Sequence, residues 1–77
     1  MKEKEKRLSE LLLGESCVIR ELRVGGAIRH RLIDLGFAPG GEVRCIGISP
    51  LGDPKAYFVR GAVIAVRGCD GGNIVVD

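Results

Sequence analysis

The sequence predicts a mainly β domain: a small, partly closed barrel of about five short strands, with one α-helix between the first and second strands and a short helical turn at the N-terminus. Two observations carry this expectation. Twelve glycines and three prolines cut the 77 residues into short segments, which suits short strands joined by tight turns better than a helical bundle. One stretch alone, from Ala27 to Leu35, places apolar residues at helical spacing, whereas the other apolar segments are short and rich in β-branched side chains. Closing such strands on themselves removes exposed edges and encloses a core from one face of each; an open α+β sheet is the fallback.

Taken in order, residues 1–7 alternate Lys and Glu and read as a charged, solvated tail outside a domain spanning 8–77. Ser9 is placed to cap a single turn running to Leu13 and closed by Gly14, offering Leu8, Leu11 and Leu12 to the body of the domain. From Glu15 to Leu22 the chain alternates, with Cys17 and Ile19 on one face and Ser16 and Arg20 on the other, as a half-buried strand does. Gly25 and Gly26 end it. In the helix that follows, Ile28, Leu32 and Leu35 fall within about 60° of one another and form the predicted core stripe, while Ile33 lies about 140° from Ile28 and is expected at the surface. Gly36 supplies a C-terminal stop, Phe37 its apolar contact, and Pro39 cannot continue a helix. Extended segments are expected over Glu42–Ser49, Ala56–Arg60, Val63–Arg67 and Asn73–Val76, with Ser49–Pro54 as an ordered loop and Gly61 as a reversal. Gly36, Gly40 and Gly52 are read as serving backbone geometry.

Several function classes drop out. A net charge of +2 lacks the basic excess of a nucleic-acid binder. Apolar runs such as Leu11–Leu13 and Ala62–Val66 fall far short of the roughly 18 residues that cross a bilayer, and no secretory signal pattern is present, so a cytoplasmic location is the default. Cys17, Cys45 and Cys69 form no local pair and no disulfide framework. The single histidine, His30, has Asp34 one turn away and reads as a surface group. With no phosphate-binding loop and no histidine to spare, neither catalysis nor a bound cofactor is expected. Cys69 and Asp70, in a glycine-rich turn, and His30 are the residue types nearest to a metal set, but their spacing supports no metal site. Arg20, Arg23, Arg29 and Arg31 make the most basic stretch; no aromatic is interleaved to stack bases, so a protein partner is favoured over nucleic acid.

The blocks Arg31-Leu32-Ile33-Asp34-Leu35-Gly36-Phe37-Ala38-Pro39-Gly40, Pro50-Leu51-Gly52-Asp53-Pro54, Val59-Arg60-Gly61 and Ile64-Ala65-Val66-Arg67 closely resemble the FeoA family, in family order and over nearly the whole chain from Leu8 to Val76. The resemblance implies an SH3-like β-barrel. It also implies a cytoplasmic, non-enzymatic accessory of the bacterial ferrous iron transporter FeoB, a membrane protein with a cytosolic GTP-binding domain, so that any membrane association runs through FeoB. The matched blocks point to Leu51, Gly52, Asp53 and Pro54 as expected partner contacts, to which the wheel position of Ile33 and the place of Arg29 in the basic stretch add those two; Ile28, Leu32, Leu35, Gly36, Pro39, Gly40 and Gly61 are the expected structural residues. The chain departs from the family pattern at Gly68-Cys69-Asp70-Gly71-Gly72-Asn73, a looser turn that puts a thiol on the surface and leaves an edge for self-association. The same barrel resembles the C-terminal domain of iron-dependent repressors, which makes a metal- or redox-responsive regulatory module acting through Cys69 the alternative.

Overall fold

The computed structural model of the protein describes residues 5–77. Their elements are β1 (Lys6–Arg7), a 3-10 turn (Leu8–Glu10), β2 (Ser16–Leu22), α1 (Gly26–Asp34), β3 (Glu42–Ile48), β4 (Lys55–Val59), β5 (Ala62–Val66), α2 (Gly68–Gly71) and β6 (Ile74–Val76). All strand pairs are antiparallel and run in the order β1-β6-β2-β3-β4-β5, which leaves the barrel open between β5 and β1.

Strand β2 belongs to both halves of the sheet. Its first residues, Ser16 to Val18, pair with β3, and Ile19, Glu21 and Leu22 pair with β6, with a register shift around Arg20 that bends the strand from one half into the other. One face of each strand then points inward. Cys17, Ile19, Leu22, Val43, Cys45, Tyr57, Val59, Val66, Ile74 and Val76 form the core together with Leu8, Leu11, Leu32 and Phe37. Expected and observed strands differ by a residue in β4 and β5. Arg60 and Gly61, at φ +50° and +81°, make a two-residue hairpin turn that takes Arg60 out of the strand.

The expectation of a solvated tail over residues 1–7 is corrected where the structure describes it; residues 1–4 lie outside the described part. Lys6 and Arg7 pair with Val76 and Val75 and so cover the edge of β6. Lys6 forms an ion pair with Glu15, Arg7 donates to the Gly72 carbonyl at 2.7 Å, and Glu5 pairs with Arg23. An alternating charge pattern looks solvated only while its distant partners are out of view. The turn that follows is shorter than expected and has no Ser9 cap. The Arg7 amide instead donates to the Glu10 carboxylate at 2.8 Å, and the chain is extended again at Leu11, which turns Leu12 out to solvent. Leu8 and Leu11 are fully buried and plug the core. Their segment is held from β4, where the Tyr57 hydroxyl donates to the Leu8 carbonyl at 3.1 Å and Lys55 Nζ donates to the Ser9 and Leu11 carbonyls at 2.7 and 2.9 Å.

Helix α1 ends as the sequence predicts. The amides of Gly36 and Phe37 bond back to the Ile33 and Leu32 carbonyls, both at 2.9 Å, with Gly36 at φ +112°. Phe37 is buried, edge-on to Tyr57 at 6.3 Å. The predicted stripe is corrected, however. Leu32 is 2% exposed, but Ile28 and Leu35 are 42% and 38% exposed, and Ile33 is half-buried against the core. A nine-residue helix lying over the end of a barrel touches it along an arc centred between Leu32 and Ile33. The wheel identifies an apolar stripe, but not which flank of it meets the sheet.

Two outcomes follow from this packing. Tyr57→Phe removes one of the two donors to the buried Leu8 carbonyl, the Leu11 amide being the other, and should cost about 0.5–1.5 kcal/mol, read as a lowered urea midpoint with the fold retained. Burial pushes the Cys17 thiol from 9.0 up to about 11 and, as the main cause, the Tyr57 phenol from 10.0 up to about 12. Both groups are held protonated in the fold, so their contribution is complete below the unfolded values and is lost as pH rises through the folded ones. Urea midpoints should therefore fall between about pH 9 and 12, and Cys17→Ala should remove the earlier part of that fall.

Candidate docking surface

Three elements gather at one side of the molecule: α1, α2 and the β3–β4 loop. The loop is ordered by its own backbone, with the Gly52 amide donating to Ser49 at 2.7 Å and the Ser49 amide to Pro54 at 3.2 Å. The Asp53 carboxylate accepts from the Gly68 amide at 2.6 Å and so ties the loop to the first residue of α2. From the other side of α2, Asp70 reaches Arg31 of α1 at 3.7 Å. The four-residue α2, which the sequence suggested only as a loose turn, is thus the bridge between the two segments expected to meet a partner.

Of the expected contacts, Leu51 stands out at 93% exposed, an apolar side chain on a fixed loop, with Gly52 and Pro54 exposed beside it. Asp53 and Arg29 carry structural bonds instead: Asp53 to α2, and Arg29 through Nη1 to the Leu22 carbonyl at 3.1 Å. Ile33, expected to be an exposed anchor, packs half-buried on the core, and the exposed apolar residues of the α1 region are Ile28 and Leu35. Pro39, Gly40 and Gly61 lie in the turns where they were expected.

The basic stretch is not a free patch. Arg20 pairs with Asp77, Arg23 with Glu5 and Glu21, and Arg31 with Asp70. The hydrogen bond from Arg23 holds the Glu21 carboxyl below its ordinary range. His30 is exposed on α1, Cys69 is exposed on α2 and Asp70 is engaged with Arg31. Among the described residues, no three His, Cys, Asp or Glu side chains come together in a way that could hold a metal ion. Among the described residues no helix is long and apolar enough to cross a membrane.

Comparison with known proteins adds the following. A family model described as the FeoA domain matches residues 6–77. The chain is 32% identical over 71 residues to the Fe(2+) transport protein A/Fe(2+) transporter FeoB fusion protein of Porphyromonas gingivalis, a match covering 92% of this chain and 8% of that one. Iron(II) transport protein A from Clostridium thermocellum superposes with a TM-score of 0.90 at 32% identity, over 94% of this chain and 44% of that one. Stenotrophomonas maltophilia FeoA, solved with zinc and described as a prokaryotic SH3 domain protein and candidate ferrous iron transport activating factor, superposes at 0.82 with 36% identity, over 94% and 89% of the two chains. The SH3-like architecture follows, with the sheet left open between β5 and β1.

The cysteine environments separate cleanly, which gives a direct check. In the native protein at neutral pH a thiol reagent should label Cys69 rapidly, and the buried Cys17 and Cys45 should react only after denaturation.

Proposed function

The chain belongs to the FeoA family, and from that premise we propose that it acts, without catalysis of its own, as a cytoplasmic accessory of a ferrous iron transport system, docking on FeoB and supporting or regulating iron uptake. The observation that carries this reading is the relative in which a transport protein A segment and FeoB share one chain. Covalent joining of two domains raises the effective concentration of each at the other to about the millimolar range, which is useful when they work in contact.

Leu51 and its loop are the best-fitting anchor. An apolar side chain projecting from a backbone already ordered gains contact area on binding without the cost of ordering the loop, which is how a small surface produces a hot spot. Ile28 and Leu35 extend the apolar surface on α1.

The test is binding of the isotope-labelled chain to full-length FeoB of the same organism in nanodiscs, with GDP or a GTP analogue. Leu51→Ser should weaken binding by about tenfold, as expected of a hot-spot residue, and its thermal midpoint should stay unchanged because the residue is exposed. An unaltered affinity in that variant would remove the loop from the interface, and no binding in either nucleotide state would overturn the docking itself.

A further inference from the structure

On the outer face of the sheet lies a groove of about 510 Å³ lined by Ser16, Glu42, Arg44, Phe58, Arg60 and Gly61, none of them from α1, α2 or the β3–β4 loop. Its floor is set by strand register. Ser16, Arg44, Phe58 and Val63 are successive cross-strand partners on β2, β3, β4 and β5, so a cation, an aromatic ring and an aliphatic side chain stand in one row. Phe58 is 46% exposed and, unlike Phe37 and Tyr57, stacks against no other ring among the described residues.

The arginines of this groove differ from those near α1. Among the described residues no carboxylate lies within salt-bridge distance of Arg29, Arg44, Arg60 or Arg67, whereas Arg7, Arg20, Arg23 and Arg31 are paired; of the four without an acid, Arg29 is held by the Leu22 carbonyl, and only Arg44 and Arg60 share a groove. Arg60 also occupies a position that ordinarily goes to Asn, Asp or Gly, the first residue of a tight hairpin turn, at φ +50°. Its stem lies across Gly36 so closely that a Cβ there would stand 3.0 Å from Arg60 Cδ and 3.2 Å from Cγ. The stem thus packs on the Gly36 backbone, and its charged end is left to the groove.

We infer that this groove takes an acidic, extended segment of a protein partner, its carboxylates held by Arg44 and Arg60 and an apolar side chain lying on Phe58 and Val63. Arginine forks match carboxylates in two-pronged hydrogen bonds, and an exposed ring flanked by cations suits alternating acidic and apolar residues. Glu42 puts one negative charge in the lining, which disfavours a uniformly anionic chain such as a nucleic acid and calls for an uncharged residue of the partner beside it. Nucleic acid is disfavoured also because one exposed ring and two arginines make a small stacking and phosphate platform. The inference does not require the partner to be FeoB, so it and the reading above stand or fall separately.

The experiment is an amide-shift titration of the isotope-labelled chain with three capped probes: a peptide of alternating Glu and Leu, its Gln and Leu counterpart, and a thymidine oligonucleotide. The Glu–Leu peptide should move Arg44, Phe58, Arg60 and Gly61, and Arg44→Gln and Arg60→Gln should each weaken its binding by about fivefold, the upper range for exposed ion pairs. Arg44 is exposed, so the thermal midpoint of Arg44→Gln should stay unchanged, and a binding loss without a fall in that midpoint is not a folding defect. Equal shifts with the Gln–Leu peptide, shifts outside the groove, or tighter binding of the oligonucleotide to the same residues would each overturn the inference.

Discussion

The architecture depends on how the open end of the sheet is sealed. A 77-residue chain hides only about 60% of its unfolded surface, so each buried side chain matters to its stability. The seal here is a short turn that contributes Leu8 and Leu11 to the core but leaves the Leu8 carbonyl with one donor, the Leu11 amide, and the Ser9 and Leu11 carbonyls in need of donors from elsewhere. Tyr57 and Lys55, two residues apart on the inner face of β4, supply the missing donors. Each combines an apolar body that packs with a polar tip that bonds. Among the described residues no buried side-chain polar atom lacks a partner, so the seal adds apolar burial without an unpaired group to offset it.

Much of the fold was legible in the sequence because the signals were local. The end of α1 was readable from Gly36, Phe37 and Pro39, since each acts on its own stretch of backbone. The five principal strands were readable from alternation and from the glycines between them. Elements defined by distant partners were not. β1 is two charged residues whose extended form is set by Val75 and Val76 at the other end of the chain, and α2 is a glycine-rich turn fixed by Asp53 across the molecule. Neither partner is visible from a window of neighbouring residues.

The candidate docking surface shows the same division. The exposure of Leu51 could be read from its place at the tip of a proline-bounded loop. The exchange of roles between Ile33 and its neighbours Ile28 and Leu35 could not, because it turns on the angle at which one short helix meets the barrel. The arginines were misleading in a further way. Sequence crowding singled out Arg20 to Arg31, of which the fold pairs Arg20, Arg23 and Arg31 with acids and ties Arg29 to a backbone carbonyl, whereas Arg44 and Arg60, far apart in the chain, are brought by antiparallel pairing into one groove with no acid in salt-bridge range. Density of charge along a sequence and density of unbalanced charge on a surface are different quantities.

One feature of the sheet bears on how the domain is used as a part. Because β1 and β6 run side by side with Lys6 opposite Val76, the chain enters and leaves at the same corner. A second polypeptide can therefore be joined at either end and issue from the same place, with the barrel presented in nearly the same orientation. Gene fusion, and its reversal into separate chains, then requires no rebuilding of the fold. Such a module can be joined to a much larger chain or separated from it with its own strand pairing kept.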